Sequence, residues 1–330
     1  MPDRKARYAD FCQSHYVPMH LQPWWLDAVC SEGRWDVCLA TDGGGKILGA
    51  MPFYKTRRLG LSVIQQPPLT SYAGPWLNYP LNLKPQKRLD FEKKVFDDLI
   101  RQLPRTAFFQ QNFHPDVQNW LPFHWAGFRQ TTRYTYLFDD LSDLEKIRAG
   151  FKNTLRTDLK KAAQAVEILQ ENDAAELLFQ LHEMSFSRKN RRPPYSFETF
   201  QRLCSALAER QQLAIFIARD KNKSVAHLRG VPHLGVPHAG LCLAFDERRA
   251  SVLLAGADPT FKSSCAAWAL FWKAMEFCSE RGLSLDFEGS MERDIERGFR
   301  AFGAQLTPYH QIWKAGNKPL EWLIRIVKGC

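Results

Sequence analysis

Apolar and polar positions along the chain fall into two rhythms, one of period two and one near 3.6. At 36–52 (DVCLATDGGGKILGAMP) two apolar runs flank a polar turn, which predicts a β-hairpin. The same shape returns at 214–232 (AIFIARDKNKSVAHLRGVP), with an Asp before the turn each time. A short helical segment (PWWLDAVC) precedes the first copy, and helices precede the second. The stretch 61–77, rich in Pro, Gly and aromatics, reads as loop and irregular strand. Phe91, Val95, Leu99 and Leu103 form one stripe at helical spacing and predict a helix over 90–103. Strands follow at 108–113 and 133–138, then helices at 143–149, 151–165, 173–186 and 197–210, with a short strand at 166–169. Further strands are expected at 241–245 and 252–255. A long apolar helix at 262–281, ended by Gly282, leads to a short strand, LSLDFEGS. An amphipathic helix from Met291, a strand toward Trp313 and an apolar helix at 319–327 complete the pattern. Strands threaded among helices, joined by hairpins and crossovers, imply mixed sheets in an α/β or α+β fold.

The chemistry concentrates between Ser251 and Trp313. Small residues open the long helix: Lys262, Ser263, Ser264, Cys265 and Ala266. A helix start presents unpaired N–H groups and the positive end of the macrodipole, so it can seat a phosphate-bearing donor, or it can simply be capped by Ser. The next strand carries Asp286 and Glu288, two apart and therefore on one face. A carboxylate there could take the proton that an attacking amine must lose. Acids at that place could equally cap the following helix, with Ser290 and Asp294 beside them. Tyr309 on the final strand is a candidate proton donor to a leaving group, or a core aromatic. Lys152, Arg156 and Lys160 share one helix face, with Lys161 beside them, as an anion-binding stripe or a solvated face. The loop SRKNRRPPYS adds Arg188, Lys189, Arg191 and Arg192, stiffened by its Pro pair and followed by Tyr195. That combination suits a phosphate or nucleotide.

The runs Leu253-Leu254-Ala255-Gly256-Ala257-Asp258-Pro259, Ser264 to Ala267, Leu285-Asp286-Phe287-Glu288-Gly289-Ser290-Met291 and Ile295 to Gly303 resemble the second half of the GNAT acyltransferase fold. They are similar above all to the bacterial acetyltransferase-like family related to the FemAB peptidoglycan-bridge enzymes. The likeness covers roughly 151–314 well and the first half more loosely. It implies tandem GNAT-like domains, expected at 1–132 and 133–330, with mainly antiparallel sheets flanked by helices. It further implies an acyl or aminoacyl donor, acetyl-CoA or another acyl-CoA or aminoacyl-tRNA, with no cofactor held permanently. Lys152-x-x-x-Arg156-x-x-x-Lys160-Lys161-Ala162 resembles a helix that lies near the polyanionic substrate in Fem-like enzymes. At the long helix, Cys265 and Ala267 stand where the family's phosphate loop carries glycine.

Composition narrows the partners. The 330 residues suffice for one large or two ordinary domains, and 45% are apolar, enough for sizeable cores. A net charge of +10 favours anionic partners: RNA, nucleotide cofactors, acidic glycans or an anionic membrane surface. The eight cysteines show no Cys-x-x-Cys pair or zinc spacing and sit mostly in apolar runs, as core residues of a reducing compartment do. No signal-like or membrane-spanning stretch is visible, so a cytoplasmic location is expected. His227, His233 and His238, near a doubled Gly-Val-Pro-His, lack an acid or Cys beside them, and no metal is expected. Two functions follow. One is N-acyl or aminoacyl transfer to the amine of an anionic acceptor, of cell-wall or nucleotide-sugar type. The other is a GNAT-shaped module, without chemistry, that binds RNA or an anionic surface.

Overall fold

The first predicted hairpin is present as an antiparallel pair of strands, 34–41 with 47–55. In the computed structural model, which describes residues 3–221 and 235–322, the chain divides into two compact units. One holds the residues up to Arg133 with those from Pro308 on; the other is Tyr134–Thr307. The first unit contains α1 (Arg4–Ser14), α2 (Pro23–Val29), β1 (Arg34–Thr41), β2 (Ile47–Arg58), β3 (Leu61–Gln65), β4 (Trp76–Leu77), α3 (Pro85–Gln102), β5 (Phe108–Asn112) and α4 (Leu121–Trp125). Strand β6 (Arg129–Phe138) leads into the second unit, with α5 (Leu144–Ala149), α6 (Asn153–Ala165), β7 (Val166–Gln170), α7 (Ala175–Ser187), α8 (Phe197–Ala208), β8 (Leu213–Asp220), β9 (Pro237–Phe245), β10 (Arg249–Ala257), α9 (Ala266–Arg281), β11 (Ser284–Asp286) and α10 (Arg293–Ala301). The last strand, β12 (Gln305–Ala315), returns to the first unit.

The sheet of the first unit runs β1-β2-β3-β5-β12, with β4 on β2. Its final strand was expected with the second domain. The residues from Pro308 belong instead to the first unit, because Gln311 to Ala315 pair antiparallel with Asn112 to Phe108. Val95 and Leu99 of α3 are buried, as the helical stripe predicts, and Phe96, outside that stripe, is buried with them, whereas Phe91 and Leu103 pack at the margin. Helix α1, which the sequence pattern does not announce, buries Tyr8 and Phe11, and the Asp3 side chain accepts from Lys5 N at its start.

The sheet of the second unit runs β6-β11-β10-β9-β8-β7. Pairing is antiparallel throughout except between β10 and β11. That parallel pair lasts only from Arg249↔Ser284 to Ser251↔Asp286. Thereafter the two strands part. The residues after β11 follow β6, with Phe287 N–H donating to Tyr136 O at 3.0 Å. Strand β10 continues along β9 to Ala257. Burial of Phe287 holds the parting open. Its ring lies 5.0 Å from Phe271, 5.2 Å from Phe299 and 5.5 Å from Phe302, on α9, on α10 and just after it. Such buried rings contribute about 1.5–3 kcal/mol each by area, and edge contacts add about 0.5–1.5. The turn of the second predicted hairpin, with His227 and His233, and most of the predicted 319–327 helix lie outside the described residues. Among those described, no helix is long and apolar enough to cross a membrane.

Candidate functional site

The site is assembled where β10 and β11 separate. Asp286, the last residue of β11, is fully buried. Its Oδ1 accepts from Thr135 Oγ1 at 2.5 Å and from the backbone N–H of Glu288 at 2.7 Å. Glu288 does not continue the strand. It takes φ +58° and Gly289 φ +55°, so the chain makes a left-handed turn there. Asp286 and Glu288 therefore do not share a strand face, as their spacing suggests, because β11 has ended before Glu288. A Cβ on Gly289 would lie 2.2 Å from Tyr134 O, so the turn needs glycine for space as well as for φ. Glu288 is no helix cap either. Helix α10 starts at Arg293 rather than Met291, and Ser290 Oγ accepts from Glu292 N at 3.1 Å.

The other arm of the opening is lined by α7. An antiparallel strand alternates the direction of its backbone groups, so Ala255 and Ala257 both face away from β9 if Leu254 and Gly256 face it. Side chains of α7 take up these groups. His182 Nδ1 lies 2.8 Å from Ala255 O, and Ala257 N–H donates to Ser185 Oγ at 3.0 Å. Helix α7 comes close enough to do this because residue 256 is glycine; a Cβ there would lie 2.3 Å from His182 N. A carbonyl can only accept, so Nδ1 carries the imidazole proton and Nε2 is an acceptor. Nε2 meets Tyr195 Oη at 2.9 Å, and the two rings stack at 5.9 Å with 15° between planes. Burial lowers the His182 pKa below the ordinary imidazole value, partly offset by the Ala255 contact and Glu183. The Tyr195 phenol is pushed up, first by burial and then by the Glu288 carboxylate. Tyr195, expected to hold a phosphate, instead turns inward to His182, which sequence reasoning missed: a lone His in an apolar helix carries no spacing signal.

The basic residues divide into two groups. Lys189 and Arg191 are both paired to Glu292, Arg191 Nη1 at 3.0 Å. The Lys189 bond, followed by burial acting against it, leaves Glu292 below the usual carboxylate range. Arg191 is thus partly neutralised within the protein, while Arg192 is exposed. On α6, Leu155, Leu159 and Ala162 are buried and Arg156, Lys160 and Lys161 are exposed, as is Lys152 at its N-cap. Arg156 reaches back to Asn153 Oδ1 at 2.6 Å. The long helix starts later than its sequence predicts. Pro259–Ser264 form a 3-10 turn containing Lys262 and Ser263, opened by Asp258 accepting from Thr260 N at 2.8 Å. Cys265 then adopts φ +56°, and α9 begins at Ala266. Ser264 Oγ donates to Phe261 O at 2.8 Å and accepts from Ala266 N at 3.4 Å, so the start is partly self-capped. Lys161 and Asp158 of α6 are near enough for their charges to act on the Cys265 thiol, which burial chiefly raises.

Tyr309 lies in the first unit. Its ring meets Tyr72 edge-on at 5.2 Å, and its hydroxyl accepts from Arg133 Nε at 3.3 Å. His238 stacks on Phe261 at 4.0 Å. A cavity of about 740 Å³ in the first unit, bordered by Arg4, Trp35 and Lys55, contains none of the residues singled out by sequence.

Residues 149–293 match the acetyltransferase (GNAT) domain family. No curated protein sequence matches the chain. Among solved structures, FemX superposes with a TM-score of 0.67 at 12% identity, over 98% of this chain and 99% of its own. The C-terminal DUF2156 domain of a protein named as a lysylphosphatidylglycerol synthetase, from Agrobacterium fabrum, gives 0.54 at 15%, over 98% and 95%. A tandem GNAT protein from the clavulanic acid biosynthesis pathway gives 0.53 at 10%, over 96% and 95%. Residues 149–293 thus carry the match to the acetyltransferase (GNAT) domain family, and the chain shares the fold of FemX along nearly its whole length.

Proposed function

We propose that Tyr134–Thr307 transfers an acyl or aminoacyl group to the amine of an anionic acceptor, of cell-wall or nucleotide-linked sugar type. The observation that carries this reading is the parting of β10 and β11 after Ser251 and Asp286, with Glu288 on one arm and the His182–Tyr195 pair on the other. A gap in a sheet lined by titratable groups suits a reaction in which an amine must shed a proton as it attacks a carbonyl. The name of the lysylphosphatidylglycerol synthetase domain and the Fem-like resemblance of the sequence favour an aminoacyl donor, and the GNAT resemblance makes acetyl-CoA or another acyl-CoA the other choice. Lys152, Arg156 and Arg192 would hold the acceptor's anionic groups. Lys262, Ser263, Ser264, Cys265 and Ala266 would border the donor, with Lys161 adding charge. Asp286 acts by fixing the Glu288 turn, because its Oδ1 is already engaged by Thr135 and Glu288 N–H.

Incubation of the full chain with acetyl-CoA or alanyl-tRNA and a UDP-linked muramyl peptide bearing a lysine amine tests the reading. An acylated amine, found by mass spectrometry, is expected; its absence with both donors would count against transfer. A second reading, a basic module without chemistry that grips RNA, is favoured by one observation: the α9 start offers Cys265 and Ala267 in place of glycines. It predicts RNA binding that weakens steeply with salt and no product.

A further inference from the structure

We infer that Tyr195 and His182 form a proton relay in which the Tyr195 phenol contacts the attacking amine and His182 receives the proton behind it. The inference rests on the acyl-transfer reading above. Three features of the geometry carry it. The Ala255 carbonyl fixes the imidazole with its proton on Nδ1, leaving Nε2 as an acceptor aimed at Tyr195 Oη, 2.9 Å away. The Glu288 carboxylate acts on the Tyr195 phenol, which places the phenol as the member of the pair that faces the turn after β11, with His182 behind it. The two rings are held in register by stacking and by the approach of α7 to Gly256.

In the transfer step the amine nitrogen bonds to the donor carbonyl carbon. The bond from that carbon to the leaving group breaks, and its electron pair departs on sulfur or ribose oxygen. The nitrogen's proton passes to Tyr195 Oη as the phenol's own proton moves to His182 Nε2. An imidazolium results, its Nδ1–H still on Ala255 O. The proton returns by the reverse path to the leaving group, so nothing is left over. Charged groups around the pair are consistent with these roles. Glu183, on the same helix, favours the imidazolium. Glu288, from the turn after β11, opposes a phenolate, so the phenol passes the proton on rather than holding negative charge. Strand β10 meets the pair through the Ala255 carbonyl.

The test compares wild type, Tyr195→Phe and His182→Asn with acetyl-CoA and alanyl-tRNA as donors and the UDP-linked muramyl peptide as acceptor, across pH 5–9. Phe keeps the ring, and Asn keeps a donor toward Ala255 O. The relay predicts that Tyr195→Phe lowers kcat by about 10²-fold with KM little changed. It also predicts a wild-type acid limb lying below the ordinary imidazole range, which His182→Asn removes. Melting curves show whether each variant is folded, and a folded Tyr195→Phe suffices for the comparison. If wild type transfers the group and folded Tyr195→Phe keeps pace with it, the relay is overturned while acyl transfer stands. If Glu288→Gln alone abolishes turnover and Tyr195→Phe does not, Glu288 is the base and the relay is again overturned. If wild type yields no product with either donor, the acyl-transfer reading fails and the relay falls with it.

Discussion

At the scale of single residues, most polar groups buried in this protein are held by specific partners, and those partners decide what each group can do. His182 is buried neutral, with its pKa lowered mainly by desolvation. An unfolded chain would protonate this imidazole at higher pH than the folded one does. Its contribution to stability is therefore fully present above the ordinary imidazole pKa and declines as the pH falls through that value and below. His310, lowered by burial as well, acts in the same direction. Melting temperatures measured from pH 7.5 to 5 are expected to fall, and to fall less in His182→Asn. Glu92 makes a different case. Burial pushes its carboxyl up, but bonds from Tyr79, Arg88 and Asn119 together outweigh that and hold it low. Glu92→Ala removes the acceptor from three donors at once, and a loss of about 2–4 kcal/mol is expected in denaturant unfolding. Sequence alone could nominate Asp286 and Glu288 from their position after an apolar strand. It could not place His182, because the value of that residue comes from a carbonyl 73 positions away.

At the scale of elements, two glycines carry much of the geometry. Gly289→Ala forces a Cβ to within 2.2 Å of Tyr134 O at φ +55°. A loss of about 2 kcal/mol or more is expected, with turnover falling further because the Glu288 turn moves. Gly256→Ala pushes α7 off β10 and should remove the His182–Ala255 bond, visible as a change of His182 tautomer in nitrogen NMR. Cys265→Gly works the other way. It relieves a left-handed residue with a side chain and should stabilise the protein by about 1 kcal/mol. Element types were legible because apolar period distinguishes helix from strand over most of the chain. Boundaries at the site were less so. A 3-10 turn capped by Asp258 and a left-handed Glu288-Gly289 pair both arise from hydrogen bonds that periodicity does not encode.

At the scale of the whole molecule, the pattern of hairpins and crossovers foretold mixed sheets and a repeated fold, and the GNAT match and the FemX superposition agree with that. The return of β12 to the first unit was not legible, since strand pairing across some 200 residues leaves no local trace. The net charge of +10 predicts that an anionic acceptor or a tRNA donor binds more weakly as salt rises, with Lys152→Ala and Arg156→Ala each reducing the salt slope. The measurement that tests the central claim most directly is mass-spectrometric detection of amine acylation on the UDP-linked muramyl peptide, with acetyl-CoA and alanyl-tRNA offered separately as donors. The account predicts an acylated product with one of them, strongly reduced in folded Tyr195→Phe. Intact acceptor with both donors, alongside salt-sensitive RNA binding, would contradict it.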